Sequence, residues 1–278
     1  MSITRRFLAL TLLSCLTCLS SVSMAGSSKQ VDVRMIMYLA GFTAGTVDLS
    51  VKLNDVDAVS SMQTKSTGFI KMLTGYKGKS EAHSALIEGG WPKPISYGSD
   101  YFIRKSEKKF QIKYSPSGDD ITDLRLFERG EPRDSKVPEN MRPATIDPLT
   151  AILQLRRWVL AMRNDPATAR THRFEIFDGG RRYQLNAQVL DRLRARFGGK
   201  SIPAFRIKVK MKPMAGFNKN DMLTTWSDGN DDRWIELYVT DDDNPVPLSI
   251  QSKGSGFKTT LVLKQVCTNG GSCRKFKS

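Results

Sequence analysis

Residues 233–251 read RWIELYVTDDDNPVPLSIQ, two alternating runs of apolar and polar residues separated by an acidic segment. Alternation with a period of two is typical of a β-strand with one buried face. The segment between the runs consists of residue types that favour tight turns: Asp241, Asp242, Asp243, Asn244 and Pro245. We expect these adjacent carboxylates to point in different directions and to remain hydrated. The stretch therefore predicts a β-hairpin with an acidic tip rather than a metal or catalytic site.

The same period of two recurs along most of the chain. Further alternating runs lie at residues 47–53, 101–104, 110–114, 124–126, 183–189, 205–211, 248–250 and 259–263. Gly-rich turn sequences separate these runs, such as FDGGRR at 177–182 and FGGKS at 197–201. Short strands at regular spacing predict a mainly β (α+β) fold, in which a large antiparallel sheet curls into an open or closed β-barrel.

One segment has the periodicity of a helix. Asp147 or Thr145 can cap the free backbone N–H groups of a helix that begins at Pro148, a residue that suits the first helical turn. The apolar residues that follow lie near one face: Leu149, Ile152, Leu153, Val159 and Leu160. The sequence predicts one main helix packed on or into the sheet.

The first 25 residues have the features of a secretory signal peptide. Arg5 and Arg6 precede an apolar stretch at residues 7–19 that is too short to span a bilayer comfortably, and residues 23–25 (SMA) fit a cleavage site. This predicts an exported, periplasmic chain with a single β-rich domain at residues 26–278. An alternative is a lipobox, in which Cys15 is lipidated and anchors the mature chain.

Two of the four cysteines lie in this N-terminal segment, and the others, Cys267 and Cys273, flank an Asn-Gly-Gly turn. Such a turn brings two Cα atoms within bridging distance, and an exported chain meets an oxidising compartment. We expect a small disulfide-closed loop. A metal site would need more ligands than the only two histidines, His83 and His172, supply.

The sequence offers no recognisable catalytic constellation. It lacks a Gly-x-Ser-x-Gly motif, neither histidine has neighbours that mark a general base, and the paired glycines lack the spacing of a phosphate-binding loop. Asp228, Asn230 and Asp232 alternate as in a calcium loop, but Arg233 and Val239 stand where such a loop needs Gly and Glu. We therefore expect no enzyme, no cofactor and no metal.

The chain is strongly basic, with a formal net charge of +15, and the stretch FRIKVKMK at residues 205–212 concentrates this charge. Its alternation places Arg206, Lys208 and Lys210 on one face, and Arg181 and Arg182 begin the preceding strand. A solvated face that deters aggregation is the simpler interpretation. The functional interpretation is attraction to phospholipid head groups, lipopolysaccharide phosphates or acidic glycans. Nucleic acid is not expected, because no recognition module is visible.

Several segments together resemble one family. They are MYLAGFTAGTVDLSV (37–51, interpreted as an opening strand), STGF (66–69), GGWPKPISY (89–97), IDPLTAILQLR (146–156), EIFDGGRRYQL (175–185), WIELYVTDDDNPVPLSI (234–250) and KGSGFKTTLVL (253–263). In this order they resemble the exported bacterial domain of unknown function numbered 3108. The resemblance implies architecture and compartment but no activity. The order of elements is also similar to the outer-membrane lipoprotein carrier fold, an open half-barrel with a helix over its concave face.

Two non-catalytic functions are compatible with this sequence. The first is a binding or carrier module for a lipid, a lipoprotein or an anionic envelope ligand, with an apolar cavity beneath the helix. Its candidate binding residues are Arg181, Arg182, Arg206, Lys208, Lys210 and Trp158, and its candidate cavity residues are Leu149, Ile152 and Leu153. The second is an assembly partner that binds another envelope protein through a sheet edge or the basic face.

An enzyme acting on cell-wall or glycan material is the less favoured interpretation. The only compact charged cluster in the sequence that suits such an enzyme is Asp178 with Arg181 and Arg182. An Asp-Gly turn explains this cluster equally simply.

Overall fold

The computed structural model describes residues 28–104, 106–218, 234–253 and 258–276. In these residues the chain forms one antiparallel sheet and two α-helices. The signal peptide at residues 1–25, the alternative lipidation site Cys15 and the alternating acidic positions at 228–232 lie outside the described residues. Neither described helix combines the length and the apolar character that a membrane crossing requires.

Fifteen strands in the described residues follow one another mostly through hairpins. Their bounds are β1 (Lys29–Leu39), β2 (Phe42–Leu53), β3 (Asp57–Ser66), β4 (Lys77–Ala85), β5 (Lys93–Ile103), β6 (Ser106–Tyr114), β7 (Ile121–Glu128), β8 (Glu131–Arg133), β9 (Thr171–Phe177), β10 (Arg182–Phe197), β11 (Lys200–Ala215), β12 (Trp234–Thr240), β13 (Pro247–Lys253), β14 (Thr259–Thr268) and β15 (Ser272–Lys275). Helix α1 (Gly68–Thr74) follows β3, and helix α2 (Pro148–Asn164) precedes β9. The predicted large antiparallel sheet with one main helix is confirmed.

The order of strands across the sheet is β8-β7-β6-β5-β4-β3-β2-β1-β14-β13-β12-β11-β10-β9. The pairing of β1 with β14, from Val31 opposite Thr268 to Leu39 opposite Thr259, joins two runs of consecutive hairpins. Strand β15 pairs only with β14, and Cys267 and Cys273 lie opposite each other there. These two cysteines form a disulfide, as predicted.

Strand β11 shows why the sequence pattern identifies the sheet. Phe205 and Ile207 are buried against the core, whereas Arg206, Lys208 and Lys210 alternate with them on the outer face. Successive side chains of a strand point to opposite faces, so burial of one set exposes the other. The predicted cationic row therefore lies on the outer face of the sheet.

Helix α2 begins where the sequence predicts. Asp147 is the N-cap, and its Oδ1 accepts hydrogen bonds from the backbone N–H groups of Leu149 (2.8 Å) and Thr150 (2.9 Å). Pro148 occupies the first helical position, where a missing N–H has little cost. The carboxyl group of Asp147 is completely buried, and this burial raises its pKa from 3.8 to about 6 against the effect of its hydrogen bonds.

The concave face of the sheet surrounds α2. On one side, Trp158 and Val159 of the helix pack in a cluster with Phe174 of β9 and Ile207 of β11. Trp158 is 1% exposed, and its indole N–H donates to the carbonyl oxygen of Ala169 at 2.9 Å. The helix thus forms the core of the structure together with the strands around it.

On the other side, α2 faces small residues. Leu153 packs in a cluster with Ala58 of β3, and the hydroxyl groups of Thr150 and Ser84 of β4 share a hydrogen bond of 2.8 Å. Ala82 and Ser84 are buried on the same inward face of β4. Small side chains allow the helix to approach these strands closely.

The sheet curls far enough for its distant parts to meet. The turn between β9 and β10 lies against β6. Gly179 is so close to the Phe110 ring that an added methyl group would lie only 2.6 Å from it. Residues 134–147 join β8 to α2, and we call this segment the connector. It forms a parallel bridge from Ile146 to Ile176 of β9. Among the described strands β8 and β9 share no ladder, so the barrel is open and this connector lines part of the gap.

The acidic segment joins β12 to β13 as a turn, as predicted, but its carboxylates are not all hydrated. The side chain of Asp241 is 2% exposed and lies 3.6 Å from Nε of Arg163, near the end of α2. It also accepts a hydrogen bond from Nε of Arg192 in β10, and Asp243 forms an ion pair with Arg163. The expectation of a fully hydrated tip is wrong, because this turn holds the end of α2 against the sheet.

Two local features differ from the sequence analysis. Residues 37–51 are not one opening strand, because Ala40 and Gly41 have φ values of 49° and 88° and reverse the chain between β1 and β2. Two-residue hairpin turns favour such conformations. Helix α1 was not indicated by periodicity, since it has seven residues and none of them is buried.

Candidate functional site

Strands β9, β10 and β11 form a polar cleft on the outer face of the sheet. Six of its lining side chains stand in two rows of three, which run across the strands. We call it the outer cleft, and it has a volume of about 800 Å³. The rows are Thr171–Gln188–Lys208 and Arg173–Asn186–Lys210.

The sheet register brings these side chains together. Thr171 lies opposite Gln188, which lies opposite Lys208 on the next strand. The inward residues between them, such as Ala187 and Val209, are buried in the core. Since burial fixes which face each residue occupies, the polar set cannot turn inward without exposing the core.

The outer cleft is electropositive. Its described lining contains three cations and no acidic side chain. The ammonium group of Lys208 lies 4.5 Å from the centroid of the Trp234 ring, which provides an aromatic surface beside the cleft. Arg173 lies 3.4 Å from Glu175, but its side chain is well exposed, so water screens this pair strongly. The cleft therefore attracts anions.

Only two of the cationic residues singled out from the sequence line the outer cleft, Lys208 and Lys210. Arg206 lies on the same face but forms a two-pronged ion pair with Asp191, at 3.2 Å and 2.5 Å. Arg182 donates to the carbonyl oxygen of Met141 at 2.6 Å. It also lies 3.5 Å from a carboxylate oxygen of Glu175, so it fixes the connector to the sheet.

Arg181 and Trp158 lie elsewhere. The guanidinium group of Arg181 stands 5.5 Å from the centroid of the Phe217 ring. Trp158 is enclosed by the core, as are Leu149 and Leu153, which were the expected lining of an apolar cavity. In the structure these side chains pack against the sheet.

Four residues of the outer cleft were not predicted from the sequence: Thr171, Arg173, Asn186 and Gln188. Each alternates with a buried or partly buried residue, so the alternation itself was visible. Nothing in the sequence shows that positions far apart in the chain share one cleft, because the register between strands brings them together.

Asp178 belongs to a turn. Its Oδ1 accepts hydrogen bonds from the backbone N–H groups of Gly180 (2.9 Å) and Arg181 (2.7 Å), and burial raises the pKa of the carboxyl group. These bonds occupy the carboxylate in the way that Asp-Gly turns commonly do. The structure therefore gives Asp178 a local role in the β9–β10 turn.

The two histidines have different surroundings. His83 lies on the exposed face of β4, 3.5 Å from Glu81. His172 is half-buried on β9, its ring 4.5 Å from that of Trp91 and 4.6 Å from that of Phe174, and burial lowers its pKa. Trp91 lies in the β4–β5 loop, so this aromatic cluster joins that loop to the edge of the sheet.

Comparison with known proteins gives a family but no function. The family model described as "Protein of unknown function (DUF3108)" matches residues 34–262. A solved structure similar to this one is the crystal structure of a beta-barrel-like protein of domain of unknown function DUF1849 from Brucella abortus. It shares 9% identity, with a TM-score of 0.49, and the match covers 87% of this chain and 97% of that one. No curated protein matches the chain.

Proposed function

Because the chain belongs to the DUF3108 family, whose function is unknown, we propose its role from the geometry of the outer cleft. The role is that of a non-catalytic binding module of the cell envelope, which holds an anionic ligand bearing phosphate or carboxylate groups. The observation that carries this proposal is the pair of polar rows, in which the described lining residues include three cations and no acidic side chain.

The lining residues match the chemistry of an oxyanion. Lys208, Lys210 and Arg173 supply charged N–H donors, which form the stronger class of hydrogen bonds with phosphate and carboxylate. Asn186 and Gln188 can both donate and accept, so they suit the hydroxyl groups of a sugar beside the anionic group. Phosphorylated or acidic glycans of the envelope combine these two kinds of group.

The location in the envelope is part of the proposal. Its support is the signal peptide predicted at residues 1–25 and the disulfide between Cys267 and Cys273, a bond typical of oxidising compartments. The outer cleft is favoured over the space beneath α2 as the binding site. An acyl chain in that space would have to displace a helix whose Leu149 and Trp158 side chains are packed in the core.

Titration calorimetry with soluble probes tests this function. The probes are deacylated lipopolysaccharide for phosphate groups, an oligogalacturonate for carboxylate groups, and a maltooligosaccharide as the uncharged control. We expect binding of one anionic probe and none of the neutral one. The double substitution K208E/K210E should weaken this binding at least about tenfold, by loss of two charge-assisted contacts.

The matched control is K109E/K113E, which makes the same change of charge on outward positions of β6. It should retain most of the affinity, because long-range attraction alone is screened by salt. Equal loss in both variants would show that net charge, and not the outer cleft, governs binding. Failure of the wild-type chain to bind either anionic probe would exclude the proposal and favour an envelope protein as the partner.

A further inference from the structure

A second surface lies at one end of the barrel, where the β1–β2 turn, helix α1 and the β5–β6 turn meet. The backbone N–H of Thr67, just before α1, donates to the carbonyl of Ala44 in β2, and the N–H of Arg104 donates to the carbonyl of Thr74 at 2.6 Å. These bonds bring three separate segments of the chain together. We call this surface the α1 end.

The α1 end exposes large apolar side chains. Phe42 is 78% exposed, Met72 75% and Phe69 64%, and Leu73 and Ile103 are exposed beside them. No residue of α1 is buried, although four of its seven residues are apolar: Phe69, Ile70, Met72 and Leu73. Single exposed apolar residues are ordinary, but a contiguous group of large ones marks a surface that binds something apolar.

Cations surround these apolar side chains. Residues 64–80 contain four lysines and no acidic residue, and residues 39–47 contain no acidic residue either. Two acids lie on the neighbouring strands: Asp100, opposite Lys79 and 4.0 Å from Lys109, and Glu107, opposite Phe102. Three lysines lie in or next to α1 in the chain, Lys65, Lys71 and Lys77, and Arg104 joins α1 through its backbone N–H bond to Thr74. Within the described parts of the chain none of these four forms an ion pair, so their charge is available to a partner.

We propose that the α1 end docks on an anionic phospholipid bilayer. Phe42, Phe69 and Met72 would enter the boundary between head groups and acyl chains, while the surrounding cations lie at the level of the phosphates. This combination of apolar tips and cations that form no ion pair with the described residues complements an anionic membrane. A second copy of the chain fits less well, because two α1 ends would bring like charges together. The surface is separate from the outer cleft, since it is built from β1–β6 rather than β9–β11.

Flotation of the purified chain with lipid vesicles tests this proposal. The vesicles contain either phosphatidylcholine alone or phosphatidylcholine with about 30% phosphatidylglycerol, a content that provides the negative surface potential. We expect binding to the anionic vesicles only, and its loss at high salt. The double substitution F69S/M72S should lower the partition coefficient by about tenfold or more, because it removes two apolar side chains from the lipid contact.

Two controls keep the result interpretable. I87S/I95S changes two exposed apolar residues outside the α1 end and should leave vesicle binding unchanged. K208E/K210E should retain most of it, so failure of the outer cleft and failure of the α1 end are distinguishable. Far-ultraviolet circular dichroism verifies that each variant is folded. Unchanged vesicle binding of F69S/M72S would overturn the proposal. If the same variant also converted a dimer to a monomer, the α1 end would be an interface between two copies of the chain instead.

Discussion

Substitution of Asp147 by Asn tests whether the buried cap of α2 makes the stability of the fold depend on pH. The carboxyl group lies entirely inside the protein and binds two backbone N–H groups and the hydroxyl of Thr150. Asn has the same shape and keeps one oxygen acceptor, so the substitution removes the charge while the helix retains a good N-cap residue.

The magnitude follows from the change in pKa on folding. Burial raises the pKa of Asp147 from 3.8 to about 6, so the folded state binds the proton more tightly than the unfolded state. The stabilisation from this proton is fully present below about pH 4 and is lost as pH rises through about 6. At 1.36 kcal/mol per pH unit, the free energy of unfolding should fall by about 3 kcal/mol across this window.

Other titratable groups near Asp147 do not obscure this effect. Tyr97 and Tyr114 interact with it electrostatically, but burial raises the pKa of both phenols, that of Tyr97 to about 12, so they stay neutral throughout the window. Burial also raises the pKa of Asp178, and that contribution remains in both the wild type and the variant. The comparison of the two proteins therefore isolates Asp147.

Urea denaturation followed by tryptophan fluorescence from about pH 3 to about pH 7.5 provides the measurement, because the unfolded carboxyl group is protonated only below its pKa. We expect the difference in unfolding free energy between wild type and D147N to change by about 3 kcal/mol over this range. Asp147→Ser, which caps without charge, should behave like D147N, whereas Asp147→Ala should lose about 1 kcal/mol more at every pH. A difference between wild type and D147N that is constant across the range would refute the reasoning.

Two further predictions concern the barrel wall and the C-terminal strand. Gly179→Ala should lower the melting temperature more than Gly130→Ala: both glycines have positive φ (96° and 84°), but only at position 179 would the methyl group meet the Phe110 ring. Equal shifts in thermal denaturation would contradict the contact between the β9–β10 turn and β6. Serine at both Cys267 and Cys273 should reduce the free energy of unfolding in urea by about 2 kcal/mol, the chain-entropy value for so short a loop. No reduction would show that the disulfide does not restrict the unfolded chain.

Part of the fold was predictable because neighbouring residues differ strongly in hydropathy. In β11, bulky apolar residues such as Phe205 and Ile207 alternate with cations, so the period of two is unambiguous. The start of α2 was equally clear, because Asp147 and Pro148 are among the residues that helix N-termini prefer.

Strands β3 and β4 lack this contrast. Their inward residues include Ala58, Ser60, Ala82 and Ser84, which are small because the helix lies close to them. Small and weakly polar residues hardly differ in hydropathy from their outward neighbours, so no alternation was apparent. The small size of these inward residues is explained by the position of α2, which only the tertiary structure shows.

The candidate site was predictable only in part for a related reason. Lys208 and Lys210 could be assigned to the outer face of a strand, but their grouping with Thr171 and Arg173 depends on two strand registers. Arg182 appeared equally suitable in the sequence, yet it is used to fix the connector through Met141. Composition predicts a basic face, and strand register determines which basic residues act together.

The pairing of β1 with β14 has a consequence for how the chain acquires its structure. Every other strand pair in the described residues connects neighbours in sequence, so each of these pairs can form as soon as its two strands exist. Val31, however, must find Thr268 across almost the whole polypeptide, and the entropy of closing so large a loop opposes this encounter. We infer that the two runs of hairpins, β1–β8 and β9–β14, form first. Pairing of β1 with β14 is then the slow step of folding.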